Sequence, residues 1–441
     1  MMESVRLLRT QISRLWTQSG DFSWNLAAAA TTQGSTFLAA VILTHMLGVE
    51  AFGRYVVGQS TVVALGSLFG LGLGFVANAL LARHVSADPL RTARIHRFCF
   101  TVASISGLAG GLLVSGGFAW IAEHLFHDSH VKTEILLAGI ALPFSVVSIY
   151  QTGALAGLAA FRPLAATALI GAVSLLAGAS VGAFVAGPTG ALVGLLFSLS
   201  LRAWVGNGIL RTRVLALSLT PADFRSTWPE VRGFALPTVL SGLTMMSALW
   251  LSNAILTSHT DTRSLGVFSS AFLIKTAVTF VPLQFGSVLL SRLSALSAKG
   301  DLSAWRRTHI GVLLTGVGIA AALAVPLALA APFVMSLFGP GFKEGAQLLR
   351  WLMLCAVVES AATLIYYGFP GRGPFWKAAL AYSVPKDLVL LGSALFLVRQ
   401  FGSLGLAWAH SASWAYGLLA VGILNLLDRP HQKLMEAARI Q

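Results

Sequence analysis

The composition is that of a membrane protein: 56% of the 441 residues are hydrophobic and only 10% are charged, whereas soluble domains carry about 25% charged residues. The net charge of +14 comes from short basic clusters between apolar runs, which argues against a nucleic-acid-binding domain. The two cysteines, Cys99 and Cys355, lie in apolar runs and indicate neither a disulfide framework nor a metal site.

Residues 1–23 are predicted to form a cytoplasmic amphipathic helix. Apolar residues recur at helical spacing from Val5 to Leu15, with arginines between them. This pattern is typical of a helix that lies on an anionic membrane surface. The segment has no apolar core followed by a small-residue cleavage site, so we do not expect a removable signal peptide.

The rest of the chain is predicted to form an all-α integral membrane domain of twelve spans. A bilayer core of about 30 Å takes about 20 helical residues, and charges, Pro and Gly divide the chain into twelve such runs. The first six form a predicted N-terminal lobe, 24–210, and the last six a C-terminal lobe, 235–427, with a cytoplasmic linker, 211–234, between them and a cytoplasmic tail, 428–441. The predicted spans are 24–47, 55–82, 98–122, 135–159, 164–186, 190–210, 235–257, 266–291, 309–336, 347–368, 378–398 and 403–427.

Basic residues predict the orientation of these spans. With a cytoplasmic N-terminus, 21 of the 30 Lys and Arg residues fall on the cytoplasmic side and 5 on the opposite side. Short cytoplasmic loops carry the excess of Lys and Arg in membrane proteins. We therefore expect both termini in the cytoplasm.

The two lobes show an internal repeat. An offset of 213 residues aligns Gly53 with Gly266 and Asp88 with Asp301, and farther along "GALV" at 190 faces "GLAW" at 405. Because each copy has an even number of spans, both enter the membrane from the same side. The prediction is a parallel duplicated repeat.

Sequence motifs of enzymes are missing from the chain. It has no G-x-x-x-x-G-K-[ST] phosphate loop, no H-E-x-x-H and no G-x-S-x-G, and no loop long enough to form a soluble catalytic domain. We expect a transporter that uses neither ATP nor a cofactor or metal ion.

Several short segments resemble one transporter family. The stretch "TTQGSTFLAAVILTHMLGVEAFGRYVVGQSTVVALGSLFGLGLG" and the later segments "VRGFALPTVLSG", "LGVFSSA", "LSRLSAL" and "LFGPGFKEGAQLLRWL" resemble the polysaccharide flippases. These are the O-antigen repeat-unit translocases of the multidrug/oligosaccharidyl-lipid/polysaccharide (MOP) superfamily. The resemblance covers most of the chain.

The resemblance implies both a fold and a function. The fold would be two six-helix lobes around a central cavity that opens alternately to each side of the bacterial inner membrane. The substrate would be an undecaprenyl-diphosphate-linked oligosaccharide, moved from the cytoplasmic to the periplasmic leaflet for lipopolysaccharide or exopolysaccharide synthesis. A polymerase or glycosyltransferases of the same pathway would be partners, beside the membrane lipids.

Ionisable residues inside the spans are the candidate substrate-binding residues. A charge near the bilayer centre costs about 2.5 to 3.5 kcal/mol on insertion scales and usually faces a cavity or a partner. An alternative is that the charges form buried pairs, such as Lys275 with Glu359, that only fix helix packing. The candidates are Arg202, Lys275, Glu359, Lys386 and Asp387.

Three glycines form a candidate gate. Gly66, Gly70 and Gly74 recur every four residues along the predicted second span, and small residues at that spacing let helices approach closely. They would flank a lipid portal as a mobile gate, or they would only serve tight packing.

Two other functions remain open. One is a cation-coupled antiporter for drugs or small metabolites with the same fold, which an acidic cavity would favour. The other is a membrane enzyme such as a polysaccharide polymerase or ligase, which would need a larger outer loop than this chain has.

Overall fold

The computed structural model describes residues 2–85, 88–214, 224–299, 302–368 and 379–440, and in these ranges every regular element is a helix. The middle of the predicted linker, residues 215–223, lies outside the described residues. The side chains of the predicted amphipathic segment and of the predicted tail lie outside them as well.

Twelve α-helices make up the described chain. They are α1 (Met2–Phe69), α2 (Leu73–His84), α3 (Pro89–Gly116), α4 (Phe118–His124), α5 (Lys132–Gly157), α6 (Phe161–Arg213), α7 (Phe224–His259), α8 (Thr262–Lys299), α9 (Leu302–Leu329), α10 (Ala331–Ser336), α11 (Ala346–Tyr366) and α12 (Val384–Ile440). Short 3₁₀ helices, Ser129–Val131 and Pro340–Gly345, precede α5 and α11, and a π-helical turn, Ala379–Ser383, leads into α12.

The chain is a multi-pass membrane protein. Eight helices of the described part are long and apolar enough to cross a membrane. Large apolar side chains on them, such as Phe184 and Leu329, are 85% and 78% exposed, which suits contact with lipid rather than water. A predominantly apolar outer surface of this kind confirms the class predicted from composition.

Glycine kinks explain why twelve predicted spans occupy fewer continuous helices. α1, α6 and α12 each bend at a glycine with positive φ, namely Gly48 (φ 74°), Gly187 (φ 60°) and Gly402 (φ 56°). Each kink falls between two predicted spans, and α7 covers the range of the seventh. All twelve predicted ranges therefore coincide with a helix or with one arm of a kinked helix, apart from the division of the second described below.

The described helices form two compact units. The first contains residues 1–47, 57–122 and 129–239, and the second contains 48–56, 123–128 and 240–441. Two short segments from the first half of the sequence thus belong to the second unit. Within it, repeat-related Gly53 and Gly266 lie where each has no room for a side chain, because a Cβ on Gly53 would meet the carbonyl of Thr262 and one on Gly266 that of Val49.

Equivalent helices surround one central helix in each unit. In the first unit α5 packs against α2, α3 and α6, and in the second unit α11 packs against α8, α9 and α12. α3 and α9 have the same length of 28 residues and begin 213 positions apart. This agreement confirms the internal repeat and its predicted offset.

The glycine stripe predicted along the second span is wrong in its geometry. α1 ends at Phe69, and α2 begins only after a turn in which Leu71 (φ 49°) and Gly72 (φ 63°) are left-handed. The span is therefore two helices, with Gly66, Gly70 and Gly74 in α1, the turn and α2 respectively. Gly66 and Gly74 abut Ser145 and Ile149 of α5, whereas Gly70 abuts only its own preceding turn.

Candidate functional site

Arg202 is a cation within the first unit that has only a neutral partner. It lies on α6, is half-buried, and its Nη2 donates a hydrogen bond to Thr152 Oγ1 on α5 at 3.1 Å. The described residues place no carboxylate within ion-pair distance of it. Because a buried cation without a counter-ion is costly, this guanidinium is suited to receive an anion from a ligand.

Lys275 and Glu359 form an ion pair in the second unit. They project from α8 and α11, and the residues are 3% and 9% exposed. This is the pairing that the sequence left open as an alternative to substrate contact. The positive charge also lies 4.6 Å from the ring centre of Phe272, so aromatic and anionic partners together offset its desolvation.

Lys386 and Asp387, which are adjacent at the start of α12, form a second ion pair. Lys386 Nζ lies 2.5 Å from Asp387 Oδ1, and the residues are 6% and 3% exposed. Consecutive helical positions point about 100° apart, but the long lysine stem turns back far enough to bring the two head groups together. The sequence-based expectation that these side chains diverge does not describe their charged ends.

Trp414 connects the two pairs. Its ring centre lies 4.6 Å from Lys386 Nζ and 5.9 Å from Lys275 Nζ, and its side chain is half-buried. His410, one turn earlier on α12, stacks with Phe268 and Phe272 at ring-centre distances of 5.7 and 5.1 Å. Two lysines, two carboxylates and these rings form what we term the C-terminal cluster: Lys275, Glu359, Lys386, Asp387, His410 and Trp414.

A tyrosine stack adjoins the C-terminal cluster. Tyr366 at the end of α11 lies over Tyr382, with 4.7 Å between ring centres and 22° between planes. Tyr382 is 5% exposed, whereas Tyr366 is half-buried and presents part of its ring. A Cβ added to Gly417 would meet both Tyr382 and Lys386, at 3.2 and 3.3 Å. The stack is thus continuous with the charged residues.

The two units hold Arg202 and Lys386 in the same backbone frame. Ser198 Oγ donates to the carbonyl of Gly171 at 2.8 Å, and Ser413 Oγ donates to the carbonyl of Lys386 at 2.8 Å. These two bonds are related by an offset of 215 residues, as are the kinks at Gly187 and Gly402. The offset exceeds that of the preceding helices by two residues.

Within that frame, the cation and a glycine exchange places. In the first unit, the Arg202 stem packs on Gly171, whose added Cβ would lie 3.2 Å from Arg202 Cδ. At the equivalent positions of the second unit, the cation is Lys386 and the glycine is Gly417. Each unit therefore has one cation in a glycine notch at the same helix crossing, supplied from opposite helices.

All five predicted site residues are described, and four of them come together in the C-terminal cluster, while Arg202 lies in the other unit. Sequence reasoning did not single out Trp414 or Thr152. The 215-residue offset carried a usable signal, since it aligns the serine pair and the cation–glycine pair. In the described part of the chain, no group of three or more His, Cys, Asp or Glu side chains is arranged to hold a metal ion.

Comparison with known proteins identifies sequence relatives. The family model described as "Polysaccharide biosynthesis protein" matches residues 20–327. The EPS I polysaccharide export inner membrane protein EpsE of Ralstonia solanacearum is 24% identical, over 88% of this chain and 89% of its own length. Its counterpart from Ralstonia nicotianae is 25% identical with the same coverage.

Solved structures with the same fold belong to transporters. An inward-facing multidrug resistance MATE family transporter of the MOP superfamily superposes with a TM-score of 0.80, covering 94% of this chain and 99% of that one at 16% identity. The lipid II flippase MurJ in an inward closed conformation gives a TM-score of 0.73, covering 89% of this chain and 85% of that one at 14% identity. At these identities the likeness shows the fold alone, which is that of the MOP superfamily.

Proposed function

The chain belongs to the polysaccharide biosynthesis protein family, and from that premise we propose that it is a flippase for an undecaprenyl-diphosphate-linked oligosaccharide. It moves the lipid from the cytoplasmic to the periplasmic leaflet of the bacterial inner membrane by alternating access. The names of its relatives, polysaccharide export inner membrane proteins, support this role. The chain acts as a transporter and not as an enzyme, with both termini in the cytoplasm and pathway polymerases or glycosyltransferases as partners.

The observation that carries the proposal is the uncompensated charge of Arg202. A diphosphate that leaves water needs cationic donors, and an arginine offers several N–H groups in a planar fork that fits phosphate oxygens. The half-buried guanidinium has a neutral hydroxyl as its described partner, so binding an anion does not require breaking an ion pair. Both lysines of the C-terminal cluster, by contrast, already have carboxylate partners.

This difference assigns roles to the candidate residues. Arg202 binds the diphosphate, and the C-terminal cluster serves another part of the transport cycle. A driving ion gradient or membrane potential replaces ATP. The gate at Gly66, Gly70 and Gly74 remains a prediction, now attached to the turn between α1 and α2.

Flipping by purified protein in proteoliposomes tests the proposal. Wild-type protein should move the lipid-linked oligosaccharide to the opposite leaflet, and Arg202→Met should reduce the rate. The loss of one charge-assisted hydrogen bond is worth about 1.5 to 3 kcal/mol, or roughly 10- to 150-fold. Arg202→Lys keeps the charge and should retain part of the activity. Methionine fills much of the space beside Gly171, which limits loss of packing.

Arg350→Ala is the matched control. Arg350 is an exposed arginine at the start of α11, with a long 3.4 Å contact from its Nε to the carbonyl of Ala328, and its removal should leave flipping unchanged. Wild-type protein that leaves the lipid-linked oligosaccharide in place while exporting small organic cations would contradict the proposal and favour the antiporter.

A further inference from the structure

The C-terminal cluster contains a carboxylate oxygen with no protein partner. Asp387 is 3% exposed, and its Oδ1 accepts from Lys386 at 2.5 Å. Its Oδ2 is buried, and none of the described residues donates a hydrogen bond to it. Leaving a buried acceptor unsatisfied is costly. The atom is therefore suited to accept a hydrogen bond from a ligand.

An aromatic face lies beside this carboxylate. The Lys386 ammonium that contacts Asp387 also lies 4.6 Å from the centre of the Trp414 ring. Carboxylate and indole are therefore close enough to touch one six-membered sugar ring. Trp414 is half-buried, and it is the member of the cluster that a ligand meets first. The two ammonium groups near its ring hold it in place.

The charges of the cluster favour an uncharged ligand. Lys275 and Lys386 are balanced by Glu359 and Asp387, so an ionic ligand would have to displace one member of a buried pair. Displacement would leave an uncompensated charge in a low-dielectric site. A hydroxyl group can donate to Oδ2 without breaking either pair.

From these features we infer that Asp387 and Trp414 form a subsite for an uncharged pyranose of the transported head group. A sugar hydroxyl donates to Asp387 Oδ2, and the C–H face of the ring packs on the indole, as is usual where apolar and polar groups converge on a ligand. The half-buried ring of Tyr366, stacked on Tyr382, offers a second face for a neighbouring sugar. The inference rests on the proposed function, because the sugar arrives on the transported lipid.

Competition between two lipids tests the subsite. The full-length protein in nanodiscs is titrated with the lipid-linked oligosaccharide that accumulates in source cells lacking the protein, and with undecaprenyl diphosphate that carries no sugar. We expect wild-type protein to prefer the sugar-bearing lipid by about tenfold. Trp414→Ala should abolish that preference while leaving the affinity for undecaprenyl diphosphate unchanged, and Trp414→Phe should retain part of it.

Matched variants separate recognition from folding. Trp408→Ala removes a half-buried tryptophan of the same helix that packs on Trp351 and Phe401, so it has a comparable packing cost and should keep the preference. The double variant Lys386→Met with Asp387→Asn removes the pair without leaving a buried charge. It should lose the preference as Trp414→Ala does. Arg202→Met should weaken binding of both lipids equally.

The outcomes distinguish the two proposals. Equal affinity of wild-type protein for the two lipids, or an equal loss for both in Trp414→Ala, would overturn the sugar subsite and leave the flippase function standing. If wild-type protein binds neither lipid, both proposals fall. A lost preference in Trp414→Ala and in the pair-removing variant, with Trp408→Ala unaffected, supports the subsite.

Discussion

The same helix crossing carries a cation in each unit, but the cations differ in what surrounds them. Arg202 rests in the notch at Gly171 with a threonine as its partner, whereas Lys386, in the notch at Gly417, has a carboxylate on the next residue. The backbone frame is shared, down to a serine hydroxyl on the equivalent carbonyl. The duplication thus fixes where a charge lies, while one neighbouring residue decides whether it is available to a ligand.

The comparison extends to the rest of each unit. The charges of the second unit cancel in pairs among buried aromatic rings, a setting that holds a neutral group in a defined orientation. Arg202 is half-buried without a counter-ion, a setting that attracts an anion. One fold repeated twice can therefore contact the two chemically different ends of a glycolipid head group.

The largest expected effect comes from breaking a pair in the second unit. Lys275→Ala leaves Glu359 as an uncompensated buried charge, at a cost of about 3 to 5 kcal/mol. We expect low abundance in the membrane and a lowered midpoint of thermal unfolding in detergent. The double variant Lys275→Ala with Glu359→Ala should recover the midpoint in large part, because no charge is left unpaired.

The double variant also decides the role of Lys275 as a substrate contact. If it recovers folding and polysaccharide export together, Lys275 only stabilises the unit and the predicted contact with the head group is wrong. If it folds but exports nothing, the pair also serves transport. Arg202→Met should differ from Lys275→Ala by leaving the unfolding midpoint nearly unchanged.

A smaller effect is expected at the two equivalent kinks. Gly187 and Gly402 have φ, ψ values of 60°, −140° and 56°, −131°, a region that side chains avoid. Alanine at either position should cost about 1 to 3 kcal/mol, with similar shifts in the unfolding midpoint for the two variants. Nothing lies within 4 Å of a Cβ at Gly187, so the cost reflects backbone strain alone. Gly208→Ala, at a helical glycine with an equally open Cβ position, should not destabilise the protein.

These kinks also show which parts of the structure could be predicted from sequence. Apolar length and charge placement predict the spans, since the bilayer imposes both, and the kinks at Gly48, Gly187 and Gly402 fall between predicted spans. The break at Leu71–Gly72 could not be predicted, because a leucine with positive φ has no sequence signature. A stripe of glycines was therefore assigned to one helix that is in fact two.

The candidate residues were predictable in identity but not in their contacts. Charged residues within apolar runs identify themselves, so Arg202, Lys275 and Glu359 were found without a structure. Which charge meets which carboxylate depends on side-chain packing, and the proximity of Trp414 to two lysines from different helices is a tertiary fact. A two-residue change of offset, from 213 to 215, hid the equivalence of Gly171 with Lys386.

The smallest expected effect tests whether the shared frame is energetically equivalent in the two units. Ser198→Ala and Ser413→Ala each remove one hydrogen bond to a carbonyl, worth about 0.5 to 1.5 kcal/mol. Ser198 also accepts from Ser174 Oγ at 3.0 Å, whereas the position equivalent to Ser174 is Val389, which can make no such bond. Ser174 keeps a second acceptor, the carbonyl of Ile170 at 2.7 Å, so the extra loss in Ser198→Ala should be slight. We therefore expect nearly equal shifts of the unfolding midpoint, with Ser198→Ala marginally the larger. A shift in Ser413→Ala alone would mean that the bond stabilises the frame only where the adjacent residue is a charged lysine, and the two crossings would then be alike in geometry but not in energy.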